Sequence, residues 1–211
     1  MCPTSPRRTA LPSVAGNPRI GVLALQGDFR EHIAVMNSLG ADAVGVRRPT
    51  ELAEVEGLII PGGESSVMDK LSRLFGMAEP LKDAIRAGLP VWGTCAGLIM
   101  LADTIVDGIE GQESLGGLDI AVRRNAFGSQ LDSFEVDLDI PVLHDPPLHA
   151  VFIRAPVVDT AGAGVTTLAA LADGRIVAVE QGNLLGTSFH PEMTGDTRFH
   201  EYFLSKVLSA H

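Results

Sequence analysis

Short apolar runs, each followed by a helical pattern, constrain the fold of this chain more than any other feature. Residues 20–25, 57–60 and 89–92 form such runs, and each run ends at a turn that contains glycine. Strands that are apolar on both faces are typical of parallel sheets covered by helices on each side. The first hundred residues therefore predict the order β-α-β-β-α-α-β-α, which belongs to the α/β class.

The second half of the chain is richer in predicted strands. They span residues 118–122, 134–138, 149–153, 165–171, 175–180 and 184–189. Their close spacing favours antiparallel additions to the same sheet, and a last helix runs through Phe199, Phe203 and Val207. We expect a three-layer sandwich with a mostly parallel central sheet and antiparallel strands added to it.

The length of 211 residues suits one domain. Residues 1–18 contain four prolines and little periodicity, so they are expected to form a mobile N-terminal tail. No linker interrupts the rest of the sequence. Residues 19–211 are therefore predicted to form the folded domain.

Composition excludes several classes of protein. A net charge of −10 argues against general nucleic-acid binding and against binding to an anionic membrane through surface charge. No apolar run reaches about 18 residues, the length of a membrane span. The two cysteines, Cys2 and Cys95, are too few for a disulfide framework, so a reducing cytoplasm is the expected location.

The sharpest motif is Gly93-Thr-Cys95-Ala-Gly97, which follows an apolar strand and opens a helical pattern. This is the cysteine form of a nucleophile elbow, in which flanking glycines relieve crowding at a tight turn. The turn exposes the thiol at a helix N-terminus, which favours the thiolate. The backbone N–H of Ala96 points to where an oxyanion would form. The alternative is a buried structural cysteine.

A second motif can supply the base that a thiol nucleophile needs. His190 and Glu192 follow the last predicted strand, and residues two apart in extended backbone share a face. The histidine would act as base and the glutamate would orient it. The alternative is a loop histidine beside a solvated glutamate. The remaining histidines fit the role less well, with His32 expected on a polar helix face and the others at His144, His149, His200 and His211.

Two further features can be interpreted as parts of the same site as the elbow. The turn at Gly62-Gly63-Glu64-Ser65 can aim backbone N–H groups at an anion, with Gly63 as the second donor of an oxyanion hole, or it is an ordinary helix cap. Arginines near strand ends, Arg124 and Arg154 among them, either hold a substrate carboxylate or are surface charge. No cluster at metal-ligand spacing is present in the sequence, so we expect neither a metal nor a cofactor.

Together these segments resemble the class I (triad) glutamine amidotransferases, whose fold is flavodoxin-like. Within them, the likeness is greatest to the glutaminase subunits of pyridoxal 5′-phosphate synthases, over about residues 19–208. The matching segments are residues 21–32, 61–66, 93–101, 124–128, 132–135, 151–156 and 188–192. Cys95 is followed by Ala-Gly-Leu-Ile, whereas the glutaminases of anthranilate synthases usually carry Leu-Gly-His-Gln there.

The resemblance implies a role for each matching residue. Cys95 would be the nucleophile, His190 the base and Glu192 its orienter. The residues implied in glutamine binding are Gly63, Glu64, Ser65, Arg124, Ile153 and Arg154. Gln26 lies at the end of the first strand, and we expect its loop to face a partner and to help organise the oxyanion hole.

The resemblance also implies a partner, a (β/α)8-barrel synthase subunit in an assembly of twelve barrels and twelve glutaminases. The barrel would combine ammonia with ribose 5-phosphate and glyceraldehyde 3-phosphate. Two alternatives stay open. One is the glutaminase subunit of another amidotransferase, or a different cysteine hydrolase with the same elbow. The other is a non-catalytic regulatory subunit on this scaffold.

Overall fold

A computed structural model describes residues 16–124, 126 and 133–210. The predicted tail lies outside the described residues up to residue 15, Cys2 included, as do residues 125, 127, 128 and 132 of two family motifs. The helices are α1 (Phe29–Ser38), α2 (Pro49–Leu52), α3 (Ser65–Leu74), α4 (Ala78–Arg86), α5 (Ala96–Leu101) and α6 (Arg198–Ser209). The strands are β1 (Arg19–Leu23), β2 (Asp42–Val46), β3 (Gly57–Ile60), β4 (Val91–Thr94), β5 (Ala102–Val106), β6 (Leu118–Arg123), β7 (Ser133–Leu138), β8 (Leu148–Ile153), β9 (Val157–Ala161), β10 (Thr166–Ala170), β11 (Ile176–Gln181) and β12 (Leu184–Thr187).

Ten of these described strands form one sheet in the order β2-β1-β3-β4-β12-β11-β9-β6-β5, with β10 paired to β11. The strands from β2 to β12 in this order run parallel to one another, and β5 is parallel to β6. The strands β9, β10 and β12 are antiparallel to β11, and β6 is antiparallel to β9. The prediction of a mostly parallel sheet with antiparallel additions is confirmed.

Three details of the predicted topology were wrong. Strands β7 and β8 do not join the central sheet but pair with each other in a separate antiparallel sheet. The last strand, β12, is antiparallel to β11 as predicted, but it is inserted at the centre of the sheet and is also parallel to β4. Strands β5 and β9 and the short helix α2 were not predicted, because each is short and has no strong periodicity of its own.

Two apolar clusters cover the two faces of the central sheet. On one face α1 and α6 pack with residues such as Met36, Phe199 and Phe203 against the sheet. On the other face α3, α4 and α5 pack with residues such as Met68 and Leu81. This arrangement is the predicted three-layer sandwich. No helix in the described part of the chain is both long and apolar enough to cross a membrane.

Candidate active site

The candidate site lies at the carboxyl ends of β4 and β12, which are neighbours at the centre of the sheet. Thr94 at the end of β4 is in register with Thr187 at the end of β12. Cys95 follows the first strand directly, and His190 follows the second strand within three residues. The topology therefore brings two residues that are distant in sequence to the same sheet edge, where open α/β sheets bind ligands.

The backbone at Cys95 is strained, as the elbow motif predicts. Its φ is 48° and its ψ is −101°, and its N–H donates a 2.7 Å hydrogen bond to the carbonyl oxygen of Thr187. A Cβ at Gly93 would collide with the backbone of Gly97, and a Cβ at Gly97 would collide with the carbonyl oxygen of Ile60. Both flanking glycines are thus required by close backbone approach, and strain of this kind clusters at functional sites.

His190 is oriented by Glu192. Its Nδ1 lies 2.8 Å from Oε1 of Glu192, whose side chain is fully buried. Burial alone lowers the pKa of His190, but hydrogen bonds with Cys95 and Glu192 outweigh it and raise that pKa to about 10. His190 is therefore arranged to carry a proton beside Cys95 at neutral pH.

A cavity of about 230 Å³ opens beside these residues. Every site residue predicted from the sequence lines it except Glu192, which is buried behind His190. Its lining consists of Gln26, Asp28, Gly63, Glu64, Ser65, Cys95, Ala96, Ile99, Arg124, Ile153, Arg154 and His190. The separate sheet of β7 and β8 contributes to the cavity wall, because Ile153 ends β8 and Arg154 follows it.

Arg124 is held at the cavity wall by two partners. Its guanidinium donates 2.8 Å hydrogen bonds to Oε1 of Glu64 and to Oε1 of Gln112. Gln112 also donates a 3.0 Å hydrogen bond to Oγ of Ser65. The neighbouring Arg123 turns away to Asp107 and Asp159, so the two arginines have different roles. Sequence reasoning missed Gln112, which belongs to no motif.

Gln26 braces the glycine turn. Its Oε1 accepts a 2.9 Å hydrogen bond from the backbone N–H of Glu64. A Cβ at Gly63, where φ is +153°, would collide with the same Gln26 oxygen. The side chain of Gln26 thus belongs to the wall of the cavity that Cys95 also lines.

The expectation that His32 lies on a polar helix face was wrong. The side chain is fully buried, and its Nε2 lies 3.3 Å from Oε2 of Glu192. Its Nδ1 lies 3.0 Å from Nε2 of His200. The charged neighbours Arg30 and Glu31 concealed this in the sequence, since a single histidine beside them gives no signal of burial.

Asp28, His190 and Glu192 are the described residues whose ligand atoms lie close enough to hold a metal ion, all within 4.8 Å. Their arrangement has a different explanation. Nδ1 of His190 is engaged by Glu192 at 2.8 Å, and Asp28 stands 3.9 Å away on the cavity side. The group therefore fits an oriented histidine, and we assign it no metal.

A model of the SNO glutamine amidotransferase family matches residues 22–209. The chain belongs to this family. The pyridoxal 5′-phosphate synthase subunit PdxT of Leifsonia xyli subsp. xyli is 71% identical over 194 residues, 92% of this chain and 98% of the relative. The PdxT subunit of Clavibacter michiganensis subsp. michiganensis is 66% identical over 193 residues, 92% of each chain.

Solved structures agree with this family membership. A crystal structure of a glutamine amidotransferase has a TM-score of 0.83 and 48% identity, covering 89% of this chain and 98% of its own. The PurLQS structure from Thermotoga maritima has a TM-score of 0.60 at 20% identity, covering 92% of this chain and 97% of its own, and supports the fold alone.

Proposed function

We propose that this family member hydrolyses glutamine to glutamate and ammonia through Cys95, His190 and Glu192. The observation that supports this most is that His190 lines the cavity with Cys95 and is held from behind by Glu192. Its ring is fixed by Glu192 at 2.8 Å and its pKa is raised by Cys95 and Glu192 together. This arrangement supports the roles of nucleophile for Cys95, base for His190 and orienter for Glu192.

The reaction is acyl transfer in two halves. The Cys95 thiolate attacks the side-chain amide carbon of glutamine and forms a tetrahedral oxyanion. Protonated His190 gives its proton to the amide nitrogen, the C–N bond breaks, and ammonia leaves. Neutral His190 then takes a proton from water, the hydroxide adds to the thioester carbon, and glutamate departs as the C–S bond breaks.

The oxyanion is stabilised by backbone donors. Ala96 is the first residue of α5, so its N–H has no acceptor within the helix and is free to bind the oxyanion. Gly63 lines the same cavity and supplies the second donor. Gln26 fixes the turn that carries Gly63, which gives Gln26 a place in organising this hole.

The ends of the glutamine substrate are held by the polar cavity wall. Arg124 and Arg154 offer guanidinium groups for the α-carboxylate, and Glu64 offers a carboxylate for the α-ammonium group. Gly63, Ser65 and Ile153 complete the wall around the chain of the substrate. These assignments follow the family motifs position by position.

The ammonia is consumed by a synthase subunit that makes pyridoxal 5′-phosphate. Support comes from the relatives, which are named subunits of that synthase and are matched over 92–98% of their length. Ammonia that escapes into water becomes ammonium, which is not a nucleophile, so the glutaminase must dock over the acceptor. We propose a (β/α)8-barrel for this partner, twelve copies of each subunit in the assembly, and a cytoplasmic location suited to a free reactive thiol.

The test measures glutamine hydrolysis by the wild-type chain and by Cys95→Ala, each with and without the synthase subunit. We expect the synthase to stimulate the wild type and Cys95→Ala to have no hydrolysis. The variant complex should still form pyridoxal 5′-phosphate from an ammonium salt. Cys2→Ala is the matched control and should behave like the wild type. Normal glutamine turnover by Cys95→Ala would refute the mechanism, and no product from ammonium would refute the partner.

A further inference from the structure

The second carboxylate oxygen of Glu192 needs a partner that the triad does not supply. Oε1 is bound to His190, but Oε2 is buried and has no well-aligned hydrogen bond from any residue that the structure describes. An unpaired carboxylate oxygen in a dry interior is costly. The group that approaches it is Nε2 of His32, at 3.3 Å.

His32 is built into the core behind the triad. It lies on α1 with its side chain fully buried, and its ring packs edge-on against Trp92 of β4 at a centroid distance of 5.5 Å. Oγ1 of Thr94, the residue before the nucleophile, also lies 3.3 Å from Nε2 of His32. His32 therefore contacts Thr94, which precedes the nucleophile, and Glu192, which orients the base.

The proton positions in this network follow from its one acceptor-only group. The Glu192 carboxylate can only accept, so Nε2 of His32 carries the proton and Nδ1 is bare. Nδ1 of His32 lies 3.0 Å from Nε2 of His200, so Nε2 of His200 donates a hydrogen bond to Nδ1 of His32. The remaining nitrogen of His200, Nδ1, is then also bare, and it is buried without a hydrogen bond from any described residue.

Both histidines of the network are neutral. Burial lowers the pKa of His32 well below its ordinary value. Burial lowers the pKa of His200 to about 4. A neutral donor supports Glu192 without neutralising its charge, so the full negative charge remains available to His190.

We propose that His32 is a positioning residue for glutamine hydrolysis. Its Nε2–H holds the second carboxylate oxygen of Glu192, and His200 holds the His32 ring from behind. Glu192 is thereby fixed at both oxygens, and His190 is kept in line with Cys95. The inference rests on the proposed function, because it assigns His32 a role through the triad.

The contrasting interpretation is a histidine that merely fills the core. Three variants separate the two interpretations. In His32→Gln the amide N–H falls close to the place of the ring Nε2–H, whereas in His32→Asn it falls near Nδ1 and cannot reach Glu192. His32→Leu has similar bulk and no donor at all. A filling role predicts that bulk decides the result, and a positioning role predicts that the donor does.

The experiment measures kcat and KM for glutamine in the complex with the synthase subunit, over a range of pH. Each rate is divided by the amount of Cys95 that a diazo-ketone glutamine analogue labels, so unfolded protein does not count. We expect His32→Leu and His32→Asn to lower kcat per labelled site roughly ten- to hundredfold, as for one lost hydrogen bond to a charged group, with KM little changed. His32→Gln should recover most of that loss.

The pH profile is a readout that core filling does not move. With Glu192 loosened, the pKa of His190 falls, so the alkaline limb of kcat/KM moves to lower pH in His32→Leu and His32→Asn but not in His32→Gln. His149→Leu removes an exposed histidine on β8 and should leave rate and profile unchanged.

Equal rates per labelled site in the wild type and His32→Asn would overturn the proposal, as would equal losses in His32→Asn and His32→Gln. If His32→Leu does not fold, the comparison of the two amide variants decides alone. Wild type and Cys95→Ala are measured beside them. Hydrolysis by Cys95→Ala would refute the proposed function, whereas a missing His32 effect beside an inactive Cys95→Ala refutes the positioning role only.

Discussion

The backbone of Gly62 lies against the imidazole of His190, so that a Cβ at residue 62 would collide with Cε1 and lie 3.0 Å from Nδ1. Gly62 is not among the glycines with positive φ. A glycine is therefore needed at residue 62 because a side chain would collide with the ring of His190, and not because of the backbone conformation. The glycine turn thus contacts the proposed base, His190, as well as carrying Gly63 of the proposed oxyanion hole.

Gly62→Ala should displace His190 from Cys95. A displacement of about 1 Å near the reacting groups costs on the order of a hundredfold in rate, and we expect a loss of kcat of that size. The measurement is kcat per Cys95 labelled by the glutamine analogue. Gly164→Ala is the control, because a Cβ there meets only Nε2 of Gln181 at 3.7 Å. Unchanged turnover in Gly62→Ala would show that the ring position is not critical.

Arg124→Gln should weaken glutamine binding. Arg124 is 11% exposed and faces the cavity, so its loss removes a charge-assisted hydrogen bond to the substrate. We expect KM to rise roughly ten- to hundredfold with kcat little changed. Arg123→Gln is the matched control, because Arg123 pairs with Asp107 and Asp159 instead. An equal effect of the two variants on KM would contradict a specific role for Arg124.

Gln26→Ala should reduce the glutaminase activity that the synthase subunit stimulates. The change removes the acceptor for the N–H of Glu64 and releases the turn that carries Gly63. One net hydrogen bond corresponds to about 1 kcal/mol, or roughly fivefold in rate. Gln181→Ala, which removes the acceptor for the N–H of Asp119, is the control. Full stimulation of Gln26→Ala would remove Gln26 from the oxyanion hole and from the partner-facing loop.

Acid should destabilise the fold through its buried neutral histidines. The pKa of His200 is lowered to about 4 in the folded state, so the unfolded state binds more protons as pH falls below 6.5. That single group costs about 2 kcal/mol in the free energy of unfolding between pH 7.5 and pH 5. Urea unfolding at pH 7.5 and pH 5 should therefore show a smaller pH-dependent loss in His200→Gln than in the wild type.

The control for this pH effect is His149→Gln. Hydrogen bonds to Asp137 and Glu135 raise the pKa of His149, so its stabilising contribution is present in acid and is lost as pH rises. His149→Gln should therefore not reduce the loss of unfolding free energy between pH 7.5 and pH 5. If His200→Gln loses as much stability in acid as the wild type, His200 is not the group responsible.

The elbow and the strand-end histidine could be predicted because each depends on a local pattern. Gly93 and Gly97 are required by contacts within one turn and with one adjacent strand, and His190 and Glu192 are two residues apart. Such contacts join residues that are close in sequence, so a local pattern can reveal them. The cavity residues in the same motifs could be predicted for the same reason.

The parts that sequence reasoning missed depend on contacts between distant segments. His32 and His200 meet across 168 positions, and Gln112 reaches Ser65 across 47. The separate sheet of β7 and β8 is another case, since alternation predicts two strands but not which sheet they join. No local pattern distinguishes a buried histidine on an amphipathic helix from an exposed one.

The insertion of β12 between β4 and β11 has a consequence for the order in which activity arises during synthesis. A chain that has emerged only as far as β11 carries the thiol of Cys95 without its base, because His190 follows the strand still to come. Glutamine cleavage thus begins only once the centre of the sheet is filled. A chain that ends before β12 therefore cannot release ammonia through this triad.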